Sequence, residues 1–351
     1  MSVASPHAGV PPLPGVDEAL AARIAEGMAA VATRLAAVVD HDDPFIAGAS
    51  GHLVAAGGKR FRPLLTLLAS EVGQGWNQQV VDAAVGVELT HLASLYHDDV
   101  MDEADLRRGV ESANARYGNA TAILVGDLLF GTASSVVADL GAEAVKIQAE
   151  TFVRLCAGQI RDDLQTAGTP QDAERAVLAG DADDPAAVTA YLSILADKTG
   201  ALIATAARYG AMFGGCDPET VRTLTEYGER LGVVFQLADD LLDVASAADT
   251  SGKTPGTDLR EGKATLPVLY ARTSHDPADE RLLALTRGPI EDPEELAEAL
   301  GLLRAHPAMR QALDHTTRLA DEARELLDGV RPGPAVDALR ALVDGVALRS
   351  S

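Results

Sequence analysis

Two stretches of this chain set three aspartates at i, i+1 and i+4 within apolar sequence: Asp98-Asp99-Val100-Met101-Asp102 and Asp239-Asp240-Leu241-Leu242-Asp243. A helix gathers that spacing onto one face. Before the first set, Val87, His91, Ser94, Asp98 and Asp102 follow steps of four, three, four and four, which is one helical stripe with Asp99 beside it. In the second, Gln236 lies on the carboxylate face, while Val233, Val234, Phe235, Leu237, Leu241 and Leu242 require burial. Such helices must be packed on most sides and open on one. Two such helices facing each other across a cavity would form a metal-lined mouth.

The rest of the chain points to the same class. Apolar residues recur at helical spacing from about Val16 to Leu348, and alternating β-branched runs bounded by turn signals are nearly absent. Ala and Leu, both good helix formers, dominate the 47% of hydrophobic residues. An all-α fold is expected, with residues 16–351 as a single helical domain and residues 1–15, rich in Pro, Ala and Gly, as a disordered tail. Thr166 to Pro185 and Asp249 to Gly256 read as loops between helices. The acidic stretch from Asp276 to Ser351 reads as closing helices with a solvated face. No basic segment followed by an apolar run marks a signal peptide, and no run of 18 apolar residues predicts a membrane span. Cys156 and Cys216 sit among apolar residues and read as reduced thiols in a cytoplasmic protein.

Three carboxylates within a turn repel one another unless a cation joins them. A hard divalent ion such as Mg²⁺ favours carboxylate oxygens together with phosphate oxygens of a substrate. The formal net charge is −23, which excludes a nucleic-acid partner. A chain this acidic binds anions only by recruiting metals or a few placed cations. Those cations are clustered: Lys59, Arg60 and Arg62 in Gly57-Gly58-Lys59-Arg60-Phe61-Arg62-Pro63, Arg107-Arg108, Lys198-Thr199-Gly200 closing an apolar helical run, Lys253 and Lys263. Arg binds diphosphate oxygens as a fork and Lys as a point charge. Any one of these charges alone would read as solvated surface; their pairing with two metal-type motifs does not. No Ser/His/Asp or Cys/His set suggests a protein nucleophile.

From about Ala55 to Pro267 the chain resembles the trans-isoprenyl diphosphate synthases, most closely the long-chain polyprenyl diphosphate synthases. The resemblance is carried by GGKRFRP, HLASLYHDDVMDEADLRRG, NARYGNATAILVGDLLF, DKTG, FQLADDLLD and GKTPGTDLREGKATLP, in that order. It implies an isoprenoid synthase-type helical bundle around a deep central cavity, acting as a homodimer. It also implies that Asp98, Asp99, Asp102, Asp239, Asp240 and Asp243 hold Mg²⁺, three ions per site with substrate bound, on the diphosphate of an allylic primer. Arg107, Lys198, Thr199, Gln236, Lys253 and Lys263 would contact that diphosphate, with Lys198 counted among the catalytic groups. Lys59, Arg62, His91 and Arg108 would bind isopentenyl diphosphate, while Arg60 is expected to point elsewhere. The family commonly carries a Glu near Gly158-Gln159, which this chain lacks.

In that family, bulky side chains four or five residues before the first motif stop the growing tail. Here those positions are Ser94 and Ala93, both small. The expectation is a long all-trans product, roughly heptaprenyl to decaprenyl, for a quinone side chain, released with a peripheral contact to lipid. A shorter geranylgeranyl product, a terpene cyclase and a non-catalytic partner subunit are the competing readings. The second motif is all Asp, unlike a cyclase's mixed set, and the motif residues that such subunits lose are all present.

Overall fold

The computed structural model describes residues 17–166, 185–246 and 255–347. The N-terminal tail, residues 167–184 of the first expected loop, and Lys253 with most of the second lie outside them. The described residues are almost wholly helical and form two compact units, each assembled from three stretches of chain.

The first unit comprises residues 1–152, 202–228 and 326–341. Its helix α1 (Glu18–Val38) starts where the Asp17 carboxylate accepts the Leu20 amide at 3.1 Å. Leu20, Ile24, Val31 and Leu35 form its buried stripe. Two short helices, α2 (Pro44–Ser50) and α3 (His52–Ala55), lead to α4 (Phe61–Ser70) and then to α5 (Gln78–Met101). The 24 residues of α5 span about 36 Å. It is apolar nearly all round, as a helix surrounded by others must be. Packed against it is α7 (Asn119–Ala138), which follows the five-residue α6 (Ala113–Tyr117). Their approach is close: a Cβ on Gly86 would meet Val137 at 2.5 Å, and one on Gly126 would meet the His97 ring at 2.3 Å. The first part of α8 (Ala142–Thr166) and α10 (Ala201–Phe213) complete this packing through Thr151–Thr205 and Tyr209–Ala144 hydrogen bonds of 2.6 Å.

The expectation of helices alone needs one small correction. Leu106–Arg107 and Val110–Glu111 pair as an antiparallel ribbon, joined by Arg108 and Gly109 at φ +55° and +78°. Two left-handed central residues make this a tight hairpin of the primed kind.

The second unit comprises residues 153–201, 229–325 and 342–351. It holds α9 (Pro185–Leu195), a π-helical turn at Ala196–Gly200, and the C-terminal part of α11 (Pro218–Ala245). After α12 (Thr257–Glu261), the helices α13 (Leu266–Arg272), α14 (Glu280–Leu285) and α15 (Pro293–Ala305) bury a core that includes Val268, Leu282, Leu296, Leu300 and Leu303. Two further helices, α16 (Pro307–Leu326) and α17 (Pro334–Ala347), close the chain, so the acidic C-terminal third is helical as read.

Two stretches, Asn119–Ala138 and Ala187–Phe213, are long and apolar enough on average to cross a bilayer. Polar residues interrupt both, so neither is an unbroken apolar run. A large share of each is buried within the protein (39% and 50%), as in core helices. Cys156 and Cys216 are free thiols, both half-buried.

Candidate active site

The first unit places one acidic set and most of the basic residues together. Asp98 is half-buried at the end of α5, Asp99 fully buried, and Asp102 the exposed C-cap. Both Asp99 oxygens are engaged: Oδ1 accepts from Arg107 Nε at 2.6 Å and Oδ2 from the Ala113 amide at 3.2 Å. Arg107 also reaches Asp102 at 3.5 Å. Burial works against the Arg107 charge, but Asp99, Asp102 and Asp98 outweigh it and raise its pKa. Asp99 therefore ties the hairpin and its arginine to the acidic helix.

Arg108, at the hairpin turn, sends its guanidinium the other way, to the Leu53 carbonyl at 3.3 Å and to the Gly57 carbonyl. The paired glycines make room for it. Gly57 and Gly58 have φ of +79° and +133°, and a Cβ on Gly58 would meet Arg108 Cζ at 2.9 Å. Lys59 is exposed, and Arg62 is half-buried with its Nε buried and lacking a hydrogen-bond partner. Burial lowers the Arg62 pKa to about 10, with Glu88 opposing and Arg108 adding to the fall. His91 is recessed beside these groups. Burial first, then Arg62, Arg108, Arg60 and Arg107, hold its imidazole well below the ordinary value of 6.5. The cluster thus gathers partly buried guanidinium groups around a recessed imidazole.

The second unit carries the other acidic set. Asp240 is buried, and its carboxylate accepts from the Tyr191 hydroxyl and from Gln236 Nε2 at 2.9 Å. Gln236 Oε1 accepts from the Thr199 hydroxyl at 3.2 Å. Asp243 accepts the Thr257 and Asp258 amides at 3.2 and 3.1 Å, capping α12. Burial raises the pKa of Asp240, and Asp239 and Asp162 raise it further against those hydrogen bonds. Burial likewise raises Asp258, with Asp240 and Asp243 adding to it. Lys263 pairs with Glu261 at 2.7 Å and Lys198 with Asp162 at 2.6 Å.

Lys198 and Thr199 do not end a helix, as the sequence pattern predicts. They lie in a π turn inside a continuous helical stretch. That turn packs on Gly158, where a Cβ would come within 2.5 Å of the Lys198 amide. Asp197, in the same turn, accepts from Arg154 at 2.7 Å and from Arg161. The segment that lacks the family's Glu thus has a packing role through Gly158.

Four groups escape the sequence reading: Glu88, Asp162, Tyr191 and Asp258. Asp162 leaves a trace as an acidic residue one helical turn after Gly158-Gln159, and Asp258 lies inside the GKTPGTDLREGKATLP motif without a role assigned to it.

The residues present fit Mg²⁺. Among the described residues no three His, Cys, Asp or Glu side chains converge tightly enough to cage a metal alone. Mg²⁺ needs no such cage, since it takes one or two carboxylates and fills its sphere with water and phosphate oxygens. The crowding of buried carboxylates around Asp240 is the field a cation relieves. Asp99, Asp240 and Asp243 already accept from protein donors on both oxygens, though a carboxylate keeps further lone pairs.

The polyprenyl synthetase profile matches residues 43–303. The chain is 45% identical to nonaprenyl diphosphate synthase of Mycobacterium tuberculosis, covering 93% of this chain and 94% of that one. It is 35% identical to heptaprenyl diphosphate synthase component 2 of Geobacillus stearothermophilus, over 91% and 94% of the two. A crystal structure of geranylgeranyl pyrophosphate synthase from Corynebacterium glutamicum, complexed with calcium and isoprenyl diphosphate, superposes with a TM-score of 0.82 at 40% identity, covering 95% and 98% of the two chains.

Proposed function

Because the chain belongs to the polyprenyl synthetase family and is a prenyltransferase, we propose that it is a Mg²⁺-dependent synthase. It would join isopentenyl diphosphate to an allylic diphosphate and release a long all-trans polyprenyl diphosphate. The observation that carries this reading is the pairing of an acidic set with a separate anion receptor in the first unit. Asp98 and Asp102 would hold Mg²⁺ on the allylic diphosphate, with Asp239 and its neighbours supplying the second set. Lys59, Arg62, Arg108 and the neutral His91 would hold isopentenyl diphosphate.

Bound Mg²⁺ would supply charge neutralisation of the leaving diphosphate. Arg107 would add fixed positive charge to that anion, and the family resemblance assigns Lys198 and Lys263 to diphosphate contact as well. The C–O bond of the primer then breaks, its electron pair leaving with the diphosphate, and the double bond of isopentenyl diphosphate attacks the allylic carbon. A proton is lost from the adjacent carbon to the departing diphosphate, which leaves a new allylic diphosphate one isoprene unit longer. No protein nucleophile is required. The apolar packing around α5 supports exclusion of water from the cation.

Below Asp98 the α5 stripe continues as Ser94, Thr90 and Gly86, all small and spaced by four. Gly86 and Thr90 border a cavity of about 10 Å³, near one water molecule in size, with Thr151, Thr205 and Tyr209. Ser94 is half-buried and Ala93 fully buried. The small stripe and the likeness to a nonaprenyl diphosphate synthase support a long product, which we assign to a quinone side chain. Chain-length analysis with Mg²⁺, isopentenyl diphosphate and geranyl, farnesyl or geranylgeranyl diphosphate tests this. Ala93→Phe is expected to shorten the product; an unchanged length would remove Ala93 as the gate.

The relative named as a component of a synthase favours a second reading, in which this chain works with a partner subunit. Condensation by the purified chain alone decides against it. We place the enzyme in the cytoplasm, supported by two unpaired thiols, with a peripheral lipid contact during product release. We also take it to be a homodimer, supported by the apolar face of α7, where Ile123, Leu124 and Leu128 are exposed.

A further inference from the structure

One buried carboxylate has no part in the reaction above. Glu88 lies on α5 one turn before His91 and is 1% exposed. Its Oε1 accepts from Arg60 Nη1 at 2.7 Å, and Arg60 Nη2 donates to the Val54 carbonyl at 2.8 Å. Arg60 is the residue on which the basic motif turns into α4. Its backbone is left-handed, at φ +45° and ψ +42°, a region disfavoured for any side chain beyond glycine. Such a conformation persists only where its surroundings hold it. The surroundings here are the Glu88 carboxylate and the Val54 carbonyl, gripping the two ends of the guanidinium.

Lys59 precedes this residue directly, and Arg62 follows two positions later. The conformation at Arg60 therefore sets the relation between two of the groups assigned to isopentenyl diphosphate. Glu88 also faces the remaining ones. Its field opposes the loss of charge at both Arg62 and Arg108. A buried carboxylate surrounded by three arginines and a recessed histidine leaves the cluster net positive, with Arg60 neutralised and the others available.

We propose that Glu88 is a positioning residue of the isopentenyl diphosphate subsite: by anchoring Arg60 in its left-handed turn and out of the subsite, it fixes Lys59 and Arg62 against Arg108 and His91. This rests on the reading of that cluster given above. Loss of either the carboxylate or the Arg60 guanidinium would release the turn.

The test is steady-state kinetics of the full chain with Mg²⁺, farnesyl diphosphate and isopentenyl diphosphate. Glu88→Gln keeps the shape and removes the charge. Its KM for isopentenyl diphosphate is expected to rise about tenfold or more, with the KM for farnesyl diphosphate within about twofold of wild type. A purely structural role would move both constants together, and that outcome, or an unmoved isopentenyl KM, overturns the proposal. Arg60→Gln should show the same split and serves in its place if Glu88→Gln does not fold. Combining the two should add nothing to the single effect, because Glu88 acts through Arg60; an additive rise counts against it. A wild-type chain that neither binds isopentenyl diphosphate in calorimetry nor consumes it overturns the parent reading as well. An active wild type without the split overturns this inference alone.

Discussion

Aspartates with identical spacing have different surroundings, and substitutions should separate them. Asp98→Asn and Asp239→Asn remove carboxylates assigned to the metal. Each is expected to lower kcat by at least about 10³-fold. Asp99→Ala should behave differently. It leaves Arg107 and the Ala113 amide without their acceptor, so stability should fall by about 2–3 kcal/mol in denaturant titration, in addition to any loss of rate. Wild-type stability of the Asp99 variant would contradict this structural role. His91 gives a pH prediction. Its folded pKa lies below its ordinary 6.5, so under acid the unfolded chain binds a proton that the folded chain refuses. Stability from this group is therefore intact above pH 6.5 and lost progressively as pH falls below it. Replacing it, His91→Gln, should flatten that part of the stability curve measured by thermal melting.

At the scale of elements, the acidic helices were legible because spacing alone puts i, i+1 and i+4 on one face and apolar neighbours declare the other faces buried. The glycine pair before Lys59 was legible as part of a motif, but its cause was not. That cause is Arg108, about fifty residues along the chain, whose guanidinium fills the space a Cβ would need. The π turn at Ala196–Gly200 is hidden for a physical reason. An extra residue in one turn leaves the apolar pattern on both sides intact, so Lys198 and Thr199 look like a terminus. Glu88 and Tyr191 are hidden because a buried polar residue in an apolar run shows no sign of its distant partner. The turn yields its own prediction. Gly158→Ala would drive a methyl group into the Lys198 backbone, and the expected result is an about 10²-fold loss of kcat/KM for the allylic substrate. Wild-type kinetics in the Gly158→Ala variant would show that the turn tolerates displacement.

For the whole molecule, the exposed apolar residues of α7 are the surface most in need of cover. Leu124→Asp combined with Leu128→Lys is expected to turn a dimer into a monomer in light scattering, with the monomer less stable to heat. A wild-type monomer would end the dimer reading. The two compact units have a consequence for how the chain is made. Each is threaded from three separate stretches, and the first is completed only by residues 326–341, where the Leu339 carbonyl receives the Tyr227 hydroxyl at 2.7 Å. A ribosome delivers those residues only after residues 229–325 of the second unit. The first unit therefore stays incomplete while residues 229–325 are made, and α5 and its neighbours must be kept from aggregating over that interval. A chain cut short before Leu326 leaves both units incomplete, so such fragments should be cleared by proteolysis and not accumulate in partly active form.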